Sequence, residues 1–282
     1  MNRKTKRALT TFAYHFFVIL FGFLMIYPVL WMMASSFKPH ADIFTDAYSL
    51  IPRRVVFANY ANGWRGFGNN TFGTFFANSF KLVIPATIGV VITSAMAAFG
   101  FARVRFRLSR LWFTCMIITM LLPMQVLMIP QYILFNKLGW TDTYLPIIVP
   151  AFCGQAFFIF LNMQFIQGIP IELDESATID GCGRVGIFLR IMIPLIWPAM
   201  ITSMIFSFYW RWEDYLSPLL YIRTAKKYPV SIALKLFSDP ASVSDYGAMF
   251  AMSVLSLVPV FVIFVAFQRY LVEGIATTGL KG

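Results

Sequence analysis

Long apolar stretches separated by short polar ones set the pattern of this chain. Six windows are apolar over about the ~20 residues that a helix needs to cross a bilayer core: residues 13–33, 76–102, 111–134, 145–166, 195–221 and 247–270. They predict an all-α membrane protein with six transmembrane helices, read as one membrane domain over residues 1–282. The first window follows the basic run NRKTKR, as a secretory leader would. Its apolar core is longer than the ~7–15 residues of a leader, so a retained anchoring helix is predicted. Pro123, Pro130, Pro150, Pro218 and Pro259 interrupt the later windows. A proline removes a helix hydrogen bond, which membrane helices tolerate where neighbours or a cavity satisfy the freed carbonyl. The stretch SAMAAFGFA in the second window supplies small side chains that allow helices to approach closely.

The polar gap at residues 167–194 differs from the others. Glu172, Asp174, Glu175 and Asp180 put four of the chain's twelve acidic residues within nine positions. Pro170 suits a helix start, and the acids that follow complement the positive end of a helix. Asp180-Gly181 is a turn-forming pair in which glycine accepts a positive φ. A second helix is predicted from about Gly183, with Val185, Phe188, Leu189 and Met192 forming one apolar stripe before Pro194. The gap therefore reads as a helix–turn–helix with an acidic knuckle. It is either a solvated loop with an interfacial helix or a docking element for a soluble partner.

Composition strengthens the membrane reading. Charged residues make up 12% of the chain and the mean hydropathy is +0.71, against ~25% charged in soluble domains. The net charge of +11 lies in short flanks with no nucleic-acid motif, so anionic lipid is the simpler partner. Arg3, Lys4, Lys6 and Arg7, and later Arg103, Arg105, Arg107 and Arg110, predict that both flanks face the cytoplasm. Both termini and the acidic loop are then cytoplasmic. The segment 222–246 falls outside, although Arg223, Lys226, Lys227 and Lys235 sit there against the rule. His15 and His40 are isolated, and Cys115, Cys153 and Cys182 have no metal-ligand spacing. No catalytic, cofactor or metal residues are assigned.

Three charges lie within the fifth window, in FYWRWEDYLSPLL. Charge at the membrane centre costs at least ~2.5–3.5 kcal/mol, so Arg211, Glu213 and Asp214 are expected to face protein or water. At helical spacing, Arg211 and Asp214 lie three apart and can pair. Alternatively the segment lines a pathway, with Trp210, Trp212 or Tyr215 as aromatic platforms, and an unpaired Arg211 would suit a carboxylate. A proton-coupled carrier would explain the charges but not the acidic loop. A membrane enzyme lacks a nucleophile–base pair.

The loop also carries a family pattern. Glu175, Ala177, Asp180, Gly181, Ile191 and Pro194 fall on the motif of the EAA loop in bacterial ABC importer permeases, with Ser176 and Ile193 as mild replacements. PVLWMMASSFKP, LLPMQVLMIPQYILFNKLGWTDTYLPIIVP and QRYLVEGIATTGLKG resemble the MalG- and UgpE-like carbohydrate-uptake branch over nearly the whole chain. Trp212, Asp214, Tyr215, Leu216, Pro218 and Leu219 match the family's W-N-[DE]-[FY]-L-x-P-L pattern, and Glu213 replaces its asparagine. The resemblance implies a type I ABC importer permease fold in the bacterial inner membrane. It also implies a second homologous permease and an extracytoplasmic solute-binding protein, which would meet the outer segment 222–246. Two ATPase subunits would grip the loop at Glu172, Glu175, Ser176, Ala177, Asp180, Gly181 and Pro194. The chain has no G-x-x-x-x-G-K-[ST] phosphate loop, so ATP and Mg would be used by the partner. No particular sugar is implied.

Overall fold

Proline and glycine decide where these apolar helices stop and bend. The computed structural model describes residues 3–237 and 245–279. Its first helix, α1 (Arg3–Ser35), starts about ten residues before the predicted window, because no glycine or proline interrupts the polar flank. Two short helices follow, α2 (Asp42–Thr45) and α3 (Ala58–Arg65). Then come α4 (Phe72–Arg103), α5 (Ser109–Leu121), α6 (Met124–Lys137), α7 (Leu145–Ala151) and α8 (Ala156–Gln167). The acidic gap holds α9 (Glu172–Ile179), α10 (Arg184–Ile187), a π-turn at Phe188–Met192 and α11 (Ile193–Leu195). The chain continues through α12 (Trp197–Glu213), α13 (Leu216–Tyr221), α14 (Val230–Leu236) and α15 (Tyr246–Gly279).

Among the described residues, four helices are long and apolar enough to span a membrane: Leu9–Ser35, Phe72–Arg103, Leu145–Gln167 and Tyr246–Leu271. Two bent pairs add up to six, one over Ser109–Leu121 and Met124–Lys137 (102°), the other over Arg184–Leu195 and Trp197–Glu213 (75°). The third predicted span is therefore sharply folded. Leu122 precedes Pro123 and is held extended (φ −78°, ψ 121°), which breaks the helix there. The fifth predicted window, 195–221, is also interrupted, since α12 ends at Glu213 and Asp214 is extended. Pro218 has no N–H to offer the Asp214 carbonyl, which instead accepts from the Ser231 hydroxyl at 2.8 Å.

The chain forms two units, residues 1–72 with 234–257 and residues 73–233 with 258–282. In the first, Lys38 is 1% exposed, and its ammonium donates to the Asp46 and Ser49 carbonyls at 2.8 and 2.7 Å. Asn59 donates to the Ser36 and Lys38 carbonyls. Gly63 lies so close to Met252 that a Cβ would come within 2.7 Å of its side chain.

The second unit is built around α4. Ala95 and Ala98 are fully buried, as the small-residue stretch predicts, and with the equally buried Ala86 they pack with Phe158 and Ile166 of α8 and with Met192 and Ile196. Polar groups join the helices where apolar surface alone gives lipid little reason to leave. Asn162 on α8 donates to Ser203 Oγ on α12 at 3.0 Å, and Ser94 Oγ accepts the Gln155 N–H at 3.1 Å. A second cluster gathers Leu82, Val83, Phe135, Phe208, Trp212 and Tyr221.

Candidate functional site

The acidic gap folds into a corner whose shape follows from one glycine. Helix α9 ends at Ile179, Asp180 follows, and Gly181 takes φ +84°. The Gly181 N–H bonds the Thr178 carbonyl at 3.1 Å and the Cys182 N–H bonds the Ala177 carbonyl at 2.9 Å. This pair of back-bonds around a left-handed glycine is a standard way to satisfy the last carbonyls of a helix. Ala177 is buried, whereas Glu172, Glu175, Ser176, Asp180 and Pro194 are exposed. Ile179 is 86% exposed, and Leu173, Val185 and Leu189 are exposed as well. The corner thus offers acids and apolar side chains on one element.

The predicted stripe on the second helix needs correction. Phe188 and Met192 are buried, but Val185 and Leu189 point outward, and Ile187 takes their place in the core. Within the π-turn the Ile193 N–H reaches back five residues to the Phe188 carbonyl, so strict 3.6-residue periodicity is lost. Phe188 packs on Phe99 of α4 with ring centroids 5.3 Å apart.

Asp174 is not a free acid at a helix start. Its Oδ2 lies 2.9 Å from Arg103 Nε, with side-chain exposures of 14% and 9%. Arg103 Nη2 also donates to the Ile166 and Ile169 carbonyls at 3.0 and 2.6 Å. One guanidinium at the end of α4 therefore ties α9 to the end of α8. The charges were visible in the sequence as a basic flank and an acidic cluster on the same predicted side of the membrane; their pairing was not.

A cavity of about 450 Å³ lies between α4, α6, α7, α12 and α13. Of the six residues predicted for a pathway, Trp210, Arg211 and Asp214 line it. Trp212 does not. It is 7% exposed and packs against Phe76, Phe80 and Phe208, so it belongs to the core. Glu213 and Tyr215 also lie outside the lining. The expected Arg211–Asp214 pair is absent among the described residues. The helix on which the three-residue spacing rested stops at Glu213, and Asp214 Oδ1 instead accepts the Ser217 N–H at 3.1 Å. Arg211 Nε donates to Ser207 Oγ at 3.3 Å. Sequence reading missed Gln125, Gln131 and Gln155, which add amide groups to the same lining.

Just before α7, Asp142 joins two loops. Its carboxylate accepts from the Arg223 and Thr224 N–H groups, the Thr224 hydroxyl and the Lys227 ammonium, the last at 2.8 Å. Ile222, Val230, Ile232 and Ala233 are buried, so this part of the predicted projecting loop is packed down. Its turn-forming tail at residues 238–244 lies outside the described residues. The Lys227 ammonium and the Thr224 amide hold the Asp142 carboxyl well below the usual carboxylate range. Burial and the Asp142 charge push the Tyr144 phenol up to about 12. A depressed carboxyl stabilises the tie above its unfolded pKa, and this is lost only as pH falls through the lower folded value. Hydrogen exchange at the Arg223 and Thr224 amides, corrected for intrinsic rates, should stay slow at about pH 4, where a free aspartate is half protonated. Exchange as fast as in Asp142→Ala at that pH would contradict the tie.

Residues 89–277, about two thirds of the chain, match the model of the family described as binding-protein-dependent transport system inner membrane component. The arabinooligosaccharides transport system permease protein AraQ of Bacillus subtilis is 31% identical over 268 residues, covering 94% of each chain. Its counterpart in Halalkalibacterium halodurans is 29% identical over the full length of both. The diacetylchitobiose uptake system permease protein NgcG of Streptomyces coelicolor is 31% identical, covering 90% of this chain and 84% of that one. A chain from a bacterial ABC transporter involved in the import of the acidic polysaccharide alginate superposes with a TM-score of 0.82 at 21% identity, covering 96% of this chain and 98% of that one. The family match over two thirds of the chain and the relatives aligned over nearly all of it identify the chain as a member of the binding-protein-dependent transport system inner membrane components, the permeases of ABC transporters.

Proposed function

We propose that the chain is one membrane-spanning subunit of an ATP-driven importer of a sugar or oligosaccharide. It crosses the bacterial inner membrane six times, counting each bent pair as one span, with both termini in the cytoplasm. The corner at residues 167–194 docks an ATPase subunit through Glu172, Glu175, Ser176, Asp180 and the Gly181 turn. A second permease completes the pathway, and an extracytoplasmic binding protein delivers substrate. ATP and Mg belong to the ATPase. The observation that carries this reading is the Arg103–Asp174 tie. It ties an exposed acidic and apolar corner to α4 and α8, as an element must be tied if force applied there is to move helices. The sugar class comes from the named transport roles of the relatives.

Purification in mild detergent should recover an ATPase and a second permease with this chain. A single cysteine at Ile179 should cross-link to the ATPase, and uptake into energised vesicles should stop when ATP is depleted. Uptake that survives ATP depletion and collapses with the proton gradient would replace this reading with a proton-coupled carrier.

A further inference from the structure

Arg211 is the one cavity-lining cation among the described residues, and its partners are few. A guanidinium has five N–H donors and is costly to remove from water without acceptors. Here only Nε has a hydrogen bond, to the hydroxyl of Ser207 at 3.3 Å, and no carboxylate lies within the 4.0 Å of an ion pair among the described residues. Asp214 faces the same cavity but turns one oxygen to the Ser217 N–H. Both Nη groups of Arg211 are left without a protein partner, and a planar fork of this kind matches a carboxylate in two parallel bonds. Around it, Gln125, Gln131 and Gln155 offer amides of both polarities suited to hydroxyls, and Trp210, whose ring also contacts Phe157, Phe158 and Phe206, adds an indole to the lining. The volume of about 450 Å³ falls in the ~300–1,000 Å³ range of small-molecule sites.

We infer that this cavity is a transit site for an acidic saccharide, with Arg211 gripping a ring carboxylate, as in a uronate. The inference rests on the transport reading above and narrows its substrate class. Neutral sugars satisfy the three glutamines but leave the guanidinium unpaired, so they bind less tightly.

The test uses the purified complex in lipid nanodiscs without binding protein. Trimers of mannuronate, guluronate and galacturonate are compared with the same trimers after carboxyl reduction. At least one acidic trimer should bind about 10- to 100-fold more tightly than its reduced form, the range of a charge-assisted pair shielded from water. Arg211→Gln should erase that ratio, and Arg211→Lys should restore part of it. Equal affinities for every acidic and reduced pair, no binding of any trimer, or a ratio that survives Arg211→Gln would each overturn the inference. So would loss of the second permease from the Arg211→Gln complex, which would make Arg211 an interface residue. These results leave the transport reading standing if ATP-driven uptake of a sugar persists; an isolated chain with no ATPase companion would sink that reading instead.

Discussion

Arg103→Gln is expected to reach the membrane and to lose nearly all substrate uptake. Removing one partner of a buried ion pair costs ~3–5 kcal/mol, because the other charge stays behind without compensation. Asp174 would be that charge, at 14% exposure, and the Ile166 and Ile169 carbonyls would lose their donor as well. The corner should then swing independently of α4 and α8. ATP hydrolysis is expected to become poorly responsive to substrate, while membrane insertion is set by the apolar helices. Asp174→Asn should be milder, since Arg103 keeps both carbonyls. The double variant Arg103→Gln, Asp174→Asn should recover part of the loss by removing the stranded charge. Uptake, substrate-stimulated ATPase activity and membrane abundance measured together decide it. Wild-type uptake in Arg103→Gln, or a double variant no better than the single, would show that the pair does not carry force.

Gly181→Val is expected to have the second large effect, through backbone conformation alone. A left-handed backbone costs an L-residue ~1–2 kcal/mol, and β-branching is tolerated there least. No atom lies within 4 Å of where a Cβ would sit, so the core pays no steric penalty and the chain should remain folded. What changes is the direction of Cys182 and α10 after the turn. A graded series should result: Gly181→Asn near wild type, Gly181→Ala lower, and Gly181→Val with uptake reduced more than ~10-fold at normal membrane abundance. Equal uptake across the series would mean that the corner does not need this cap.

The difference between these two residues marks what was legible in the sequence. Gly181 could be read locally, because a turn residue declares a backbone requirement within a few positions. The apolar windows were readable for the same reason, since lipid imposes one rule on every residue of a span. Arg103 could not be placed, because its partner is 71 positions away and the contact depends on how α4 and α8 pack. Trp212 and Trp210 are two residues apart with similar chemistry, yet one fills the core and the other faces the cavity. Which face of α12 meets which neighbour is a tertiary fact. The Arg211–Asp214 expectation failed for a nearer cause: the missing N–H of Pro218 ends regular helix between them, a signal present in the sequence but given too little weight.

The first helix and the fourth make opposite demands on future variation. None of the most apolar window of α1 is buried within the chain, against 61% in α4. Shape therefore places little constraint on most of α1, where exchanges among Leu, Ile, Phe, Val and Met alter only how oily the segment is. In α4 the alanines at 86, 95 and 98 leave no room for a longer side chain. Related chains should drift freely in the one, keeping its oiliness and little else, and hold side-chain size nearly fixed in the other.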